Sequence, residues 1–337
     1  MTQGLVHVEE STPGITRRRA GRGFVYVGPG GRRLTDQAAL GRIKSLAIPP
    51  AWTDVWICLD PDGHIQATGR DIKGRKQYRY HDHWNELRSY AKFDSLLEFG
   101  QSLPTLRADV ERAMRRRTLS FERVVATTVW LLDHTLIRIG NREYSDSSFG
   151  LTTLRAEHAQ AATAALRLRF VGKSGREHDV TVRDARVTRV VRQCQELPGQ
   201  RLLQYLDNGV VRPVESHDVN QYLRTATSTE FTAKTFRTWG ASAHAAQLLA
   251  ELGAPTTQRQ AAGDVRAVIC ETAALLRNTP AVCRNSYVHP AVLAAHATGQ
   301  LHELRPTARR ARWLAPAERR LITLLDASNA GALASAS

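Results

Sequence analysis

The sequence predicts an α+β chain. A small N-terminal domain rich in β-sheet covers residues 1–84, and a larger, mainly α-helical domain covers residues 85–337 and carries a β-hairpin insertion. Three observations predict this. Alternating apolar and polar residues punctuated by Gly and Pro run as far as Trp84, apolar spacing of 3.6 residues takes over beyond it, and one alternating pair of segments at 165–182 interrupts the helical pattern. A length of 337 residues also fits about two domains of ordinary size.

The elements follow in chain order. Residues 1–20 read as a polar lead-in that ends in the basic cluster Arg17, Arg18 and Arg19. GFVYVGPGGRR (23–33) reads as a strand closed by a Gly-Pro-Gly-Gly turn. Residues 40–47 suit one or two helical turns, broken at Pro49-Pro50. VWICLDPDGHIQATGRD (55–71) predicts a hairpin, an apolar run turning at Asp60-Pro61-Asp62-Gly63 into an alternating return strand. KGRKQYRYHDHW (73–84) continues as a basic and aromatic extended stretch. Residues 85–145 then read as helical, with Val124, Val125, Val129, Leu132 and Leu136 on one face. ALRLRFVG, the turn Lys173-Ser174-Gly175-Arg176, and EHDVTV form the β interlude. Helical patterning resumes to the end, Ala-rich at 241–252 and 262–276, before a frayed tail.

Composition excludes several classes. With 42% apolar and 23% charged residues the chain can bury a core, so wholesale disorder is excluded. No run of 18 apolar residues exists, so no membrane span is expected, and the polar N-terminus does not read as a secretory signal. Four cysteines (Cys58, Cys194, Cys270, Cys283) form no CxxC pair, which excludes a zinc ribbon and a disulfide scaffold and predicts a reduced, cytoplasmic setting. Charge is the most informative quantity. Lys and Arg number 47 against 32 Asp and Glu, a net +15, and a field of that sign gathers polyanions, nucleic acid foremost.

Each motif admits a blander reading beside the functional one. Gly172-Lys173-Ser174 has the ending of a phosphate-binding loop, but Arg167 stands where that motif requires Gly and a strand follows instead of a helix, so no nucleotide cofactor is expected. His81 and His83 have no partner ligand at metal spacing, and no acidic pair suits a two-metal nuclease, so no metal is expected. In KQYRY (76–80) cations alternate with aromatics: Gln77, Arg79 and His81 share one strand face, Tyr78 and Tyr80 the other, which suits phosphate and base-edge contacts or a packed amphipathic strand. Arg138 ends an apolar stretch and needs an anionic partner, either Asp133 or Asp146 or a phosphate. Lys173 is one of only six lysines, and unlike Arg a lysine can surrender a proton. Lys234 and Arg237 are spaced to share one side of a helix. Tyr287 stands in a short segment bracketed by Pro280 and Pro290; in isolation such a tyrosine reads as a core residue as readily as a nucleophile.

Together these segments resemble the type IB DNA topoisomerases in their compact bacterial and poxvirus form. The resemblance is carried by IPPAW (48–52), GRKQYRYH (74–81), LIRIGNREY (136–144), GLTTL (150–154), FVGKSG (170–175), KTFRTWG (234–240) and NTPAVCRNSYVHP (278–290), in matching order and spacing. It implies Tyr287 as nucleophile, Arg138 and Arg237 as transition-state cations, and Lys173 as general acid. Asn278 stands where many members have His; its amide can still donate to a phosphate oxygen but cannot transfer a proton. Gln77, Tyr78, Tyr80, Asn141, Tyr144 and Lys234 match supporting DNA-contact positions. The implied activity is relaxation of supercoiled duplex DNA through a 3′-phosphotyrosine, without ATP, metal or other cofactor, by a monomer associated with the nucleoid. A tyrosine recombinase shares this set of side chains, but its usual H-x-x-R has His where Lys234 stands. A non-enzymatic DNA clamp is the alternative from another class.

Overall fold

The computed structural model describes residues 4–84, 93–141, 148–305 and 311–334. The chain divides into two compact units, Met1–Lys92 and Phe93–Ser337. The division drawn from the sequence, after Trp84, falls at the edge of segment 85–92, outside the described residues.

The first unit is built on a five-stranded antiparallel sheet. Its strands are Ile15–Ala20 (β1), Gly23–Val27 (β2), Thr53–Ile57 (β3), Ile65–Arg70 (β4) and Lys76–Tyr80 (β5), in the order β2-β1-β3-β4-β5, with one helix, Gln37–Ser45 (α1). Ile15, Ile43, Val55, Ile57 and Ala67 form its core. The expected hairpin at 55–71 forms, with Trp56 opposite Thr68 and Ile57 opposite Ala67. The expected polar lead-in is different: its basic cluster lies in β1, paired to β2 with Arg17 opposite Tyr26. Two contacts explain this. Ile15 anchors the strand in the core at 2% exposure. The Arg17 guanidinium lies 4.1 Å from the Phe24 ring and donates to the carbonyls of Ile48, Pro49 and Trp52, so a charge that looked free caps the Pro-Pro break.

In the second unit the helices are Leu96–Met114 (α2), Phe121–Thr135 (α3), Ala185–Gln195 (α4), Ser216–Thr227 (α5), Ala233–Glu251 (α6), Gln258–Leu275 (α7), Pro280–Ser286 (α8), Pro290–Ala297 (α9), Gln300–Glu303 (α10) and Pro316–Ala334 (α11). The predicted β interlude is present as Leu166–Val171 (β7) and Glu177–Val182 (β8), extended by a short third strand, Ala159–Ala161 (β6). Leu166, Leu168 and Phe170 face the core, alternating with exposed Arg167 and Arg169. A second hairpin, Gln204–Asp207 (β9) with Val210–Pro213 (β10), was not expected. Its signal was present in Asn208-Gly209, both at positive φ (49° and 81°), but four residues a side give too little alternation to stand out among helices. The apolar face predicted for α3 packs inward: Val124, Val125, Val129 and Leu132 are buried.

One boundary matters for the site. Helix α3 ends at Thr135 and does not run on to 145, because Leu136 takes a left-handed conformation (φ 53°) and its N–H closes on the Leu132 carbonyl. Arg138 therefore lies beyond the helix, in irregular backbone.

Candidate active site

Four of the residues singled out in the sequence lie together in the second unit. Arg138 is held by its backbone. The amide of Leu151 donates to the Arg138 carbonyl at 2.9 Å, and that of Thr152 to the Ile139 carbonyl at 2.8 Å. This close pairing is why GLTTL begins with glycine: a Cβ on Gly150 would lie 2.6 Å from the Arg138 carbonyl oxygen and 2.5 Å from the Gly140 nitrogen.

Arg237 projects from the first turns of α6, whose N-terminus is closed by Thr232 and Thr235. Its guanidinium, 3% exposed, donates to the carbonyls of Leu136 and Leu276. These residues are the C-caps of α3 and α7, so one cation meets the partial negative charge of two helix ends.

Asn278 follows α7 across Arg277, which takes a left-handed conformation (φ 52°), and its N–H donates to the Ala273 carbonyl. Thr279 then caps α8, Pro280 occupies the first turn, and Tyr287 is the residue on which α8 closes. The Ser242 hydroxyl donates to the Tyr287 carbonyl at 3.1 Å and accepts from the His289 amide at 2.9 Å, fixing the backbone on both sides.

The side chains converge. Arg138 Nη1 donates to Tyr287 Oη at 3.2 Å and Nη2 to Asn278 Oδ1 at 2.5 Å. The Arg237 guanidinium carbon is 5.1 Å from the centre of the Tyr287 ring. Tyr287 is only 4% exposed, but it is buried among cations and not among hydrocarbon alone. Burial by itself would push its phenol up; the charges of Arg237 and Arg138, with hydrogen bonds from the guanidiniums, outweigh burial and bring the phenol below the ordinary tyrosine value. Burial also lowers Arg237. Two buried donors, Arg237 Nε and Asn278 Nδ2, have no hydrogen-bond partner among the described residues. Buried donors are seldom left unmatched, and these two, beside the Arg138 guanidinium, could receive an anion. Of the two acidic residues near Arg138 in sequence, Asp133 pairs with Arg107 at 2.7 Å, and Asp146 lies outside the described residues.

The other predicted residues are not drawn into this cluster. Lys173 is exposed in the β7–β8 turn and forms no hydrogen bond with the four. Lys234 is exposed while Arg237 is buried, so their helical spacing does not give them a shared environment. Asn141 is exposed, and Tyr144 lies outside the described residues. In the first unit, Gln77 donates to Asp71, and the rings of Tyr78 and Tyr80 stack at 5.8 Å on one side of β5. Among the described residues no group of three His, Cys, Asp or Glu is placed to hold a metal ion, and no helix is long and apolar enough to cross a membrane.

Sequence reasoning missed Ser242 and His178. The hydroxyl is one of many small polar residues on a helix. The imidazole lies on β8, where burial and the charges of Arg277, Arg237 and Arg138 hold it down at about 4, so it is neutral near pH 7.

The chain is similar to known proteins over most of its length. Residues 81–311 match the family model of the eukaryotic DNA topoisomerase I catalytic core, and residues 23–71 match that of the bacterial DNA topoisomerase IB N-terminal domain. A DNA topoisomerase 1B of Acanthamoeba polyphaga mimivirus is 32% identical over 285 residues, covering 82% of this chain and 85% of that protein. A DNA topoisomerase 1 of Mycosarcoma maydis is 25% identical over 196 residues, covering 51% of this chain and 19% of that protein.

Proposed function

The chain belongs to the type IB DNA topoisomerases, and from that premise we propose that it relaxes supercoiled duplex DNA by transient cleavage of one strand through Tyr287. The observation that carries this reading is the meeting of Arg138, Arg237, Asn278 and the Tyr287 phenol around two unmatched buried donors.

The scissile phosphate sits among these donors. The Tyr287 oxygen, its proton lost to solvent, attacks phosphorus. A free phenol with a pKa near 10 is ionised about once in a thousand molecules at pH 7, and the two guanidiniums raise that fraction. Charge building on the non-bridging oxygens is met by Arg138, Arg237 and the Asn278 amide, donors fixed in place before the reaction. The bond from phosphorus to the 5′ oxygen breaks, and Lys173, delivered by its hairpin turn, supplies the proton that this leaving group needs. The product is a 3′-phosphotyrosine ester and a free 5′-hydroxyl. One phosphoester replaces another, so religation is the same path reversed and no nucleotide is consumed. Between the two steps torsional stress turns the free end about the intact strand.

Gln77, Tyr78, Tyr80, Asn141, Tyr144 and Lys234 serve DNA contact in this reading, and the net charge of +15 concentrates the duplex. The protein acts as a monomer, in the cytoplasm on the nucleoid. A relaxation assay on supercoiled plasmid, without ATP and with metal chelated, tests the reading. The wild type relaxes the plasmid and Tyr287→Phe does not; relaxation by Tyr287→Phe at the wild-type rate contradicts it.

A further inference from the structure

The His178 ring fills the space that a side chain at position 172 would need. Gly172 opens the turn that carries Lys173, and its backbone (φ −94°) is one that any L-residue adopts, so conformation does not demand glycine there. The neighbouring imidazole does. A Cβ at position 172 would lie 2.7 Å from His178 Nε2 and 2.8 Å from Cδ2. Nor is the ring free to move aside. His178 is directly opposite Phe170 in the β7–β8 register, and the two rings stack with centres 4.5 Å apart and planes 8° from parallel. Phe170 is itself 6% exposed and is flanked by the His158 ring. The turn closes through the Gly172 amide donating to the Arg176 carbonyl at 2.7 Å, so the residue beside the imidazole is the base of the loop bearing Lys173.

The surroundings explain why the ring stays uncharged. His178 lies near Arg277, Arg237 and Arg138, and it lines a cavity of about 500 Å³ together with Leu136, Arg237, His244, Glu271 and Arg277. A proton on His178 would add a further positive charge among three guanidiniums.

We propose that His178 is a positioning residue for Lys173: its imidazole, wedged between the Phe170 ring and the Gly172 backbone, sets the turn that presents the lysine ammonium to the departing 5′ oxygen. This rests on the reading of Lys173 as general acid. In this role His178 acts through the hairpin base.

Single-turnover cleavage of two suicide substrates tests this, one with an ordinary phosphodiester and one with a 5′-bridging phosphorothiolate, whose sulfur leaves without a proton. Gly172→Ala forces the ring and the turn apart and slows cleavage of the phosphodiester about 10- to 100-fold, the range expected for a displacement near 1 Å, while the phosphorothiolate reacts at close to the wild-type rate. His178→Ala shows the same pattern more weakly. Adding His178→Ala to Gly172→Ala removes the clash and recovers part of the lost rate, and His178→Phe, which keeps the stacked ring, recovers most of what His178→Ala loses. Equal slowing of Gly172→Ala on both substrates, or a double variant slower than Gly172→Ala alone, overturns the proposal. Lys173→Ala serves as the reference: if it is rescued by sulfur and Gly172→Ala is not, only the role of His178 falls; if it is not rescued, the acid reading falls and this inference with it.

Discussion

Arg138 donates through Nη1 to the phenol oxygen of Tyr287 across 3.2 Å, although 149 positions separate the two in sequence. The contact depends on two pieces of backbone that are not helical. Leu136 in its left-handed conformation ends α3 and releases Arg138, and Tyr287 sits at the closing residue of α8. Arg237 ties the first of these to the end of α7 by donating to the carbonyls of Leu136 and Leu276. Arg237, which lies against the Tyr287 ring, is thus also a structural clamp, and the two arginines should respond differently to removal.

Arg138→Ala deletes a donor to the phenol and to Asn278 but breaks no backbone cap, so cleavage slows by about 10²- to 10³-fold with little change in melting temperature. Arg237→Ala slows cleavage at least as much and also lowers the melting temperature, because two helix-end carbonyls, that of Leu276 buried and that of Leu136 half-buried, lose their donor. Single-turnover cleavage and thermal unfolding of both variants check this. Equal melting temperatures for the two variants would contradict the clamp.

The phenol of Tyr287 lies below the ordinary tyrosine value because Arg237 and Arg138 outweigh its burial. A group depressed in this way ionises at lower pH. The rise in cleavage rate that follows phenol ionisation therefore falls on the acid side of that for free tyrosine, and Arg138→Ala moves it toward higher pH. A pH profile of single-turnover cleavage for the two proteins measures the displacement and its sign.

His178 and His289 are both held at about 4, His178 by burial and nearby guanidiniums and His289 by burial against partners that include the Phe93 ring. Each is neutral in the fold, whereas the unfolded chain takes up the proton near pH 6.5. Stability is therefore intact above about pH 6.5, declines as pH falls toward 4, and loses no more through these groups below that. Urea unfolding at a series of pH values reads this out, and His289→Gln makes the decline shallower.

Much of the site was legible in the sequence because its chemistry depends on residue types in ordered segments. GLTTL, KTFRTWG and the Pro280 segment each place a named side chain or its clamp. What the sequence left out was geometry. Helical spacing put Lys234 and Arg237 on one side, but burial separates them, since a helix face passes from solvent to core within one turn. The end of α3 could not be read because Leu136, apolar and not glycine, takes the left-handed turn. The basic cluster at Arg17 looked like a solvated lead-in because a sequence does not show that three carbonyls wait to receive one guanidinium. The role of Gly172 is invisible for the same reason: it follows from a ring six positions away.

The most direct test of the central claim is to trap the covalent intermediate on a suicide DNA substrate and map the modified residue by peptide mass spectrometry. The account predicts a DNA 3′-phosphate ester on Tyr287, absent from Tyr287→Phe. An adduct on another residue, or cleavage by the wild type that leaves no DNA bound to protein, would contradict it.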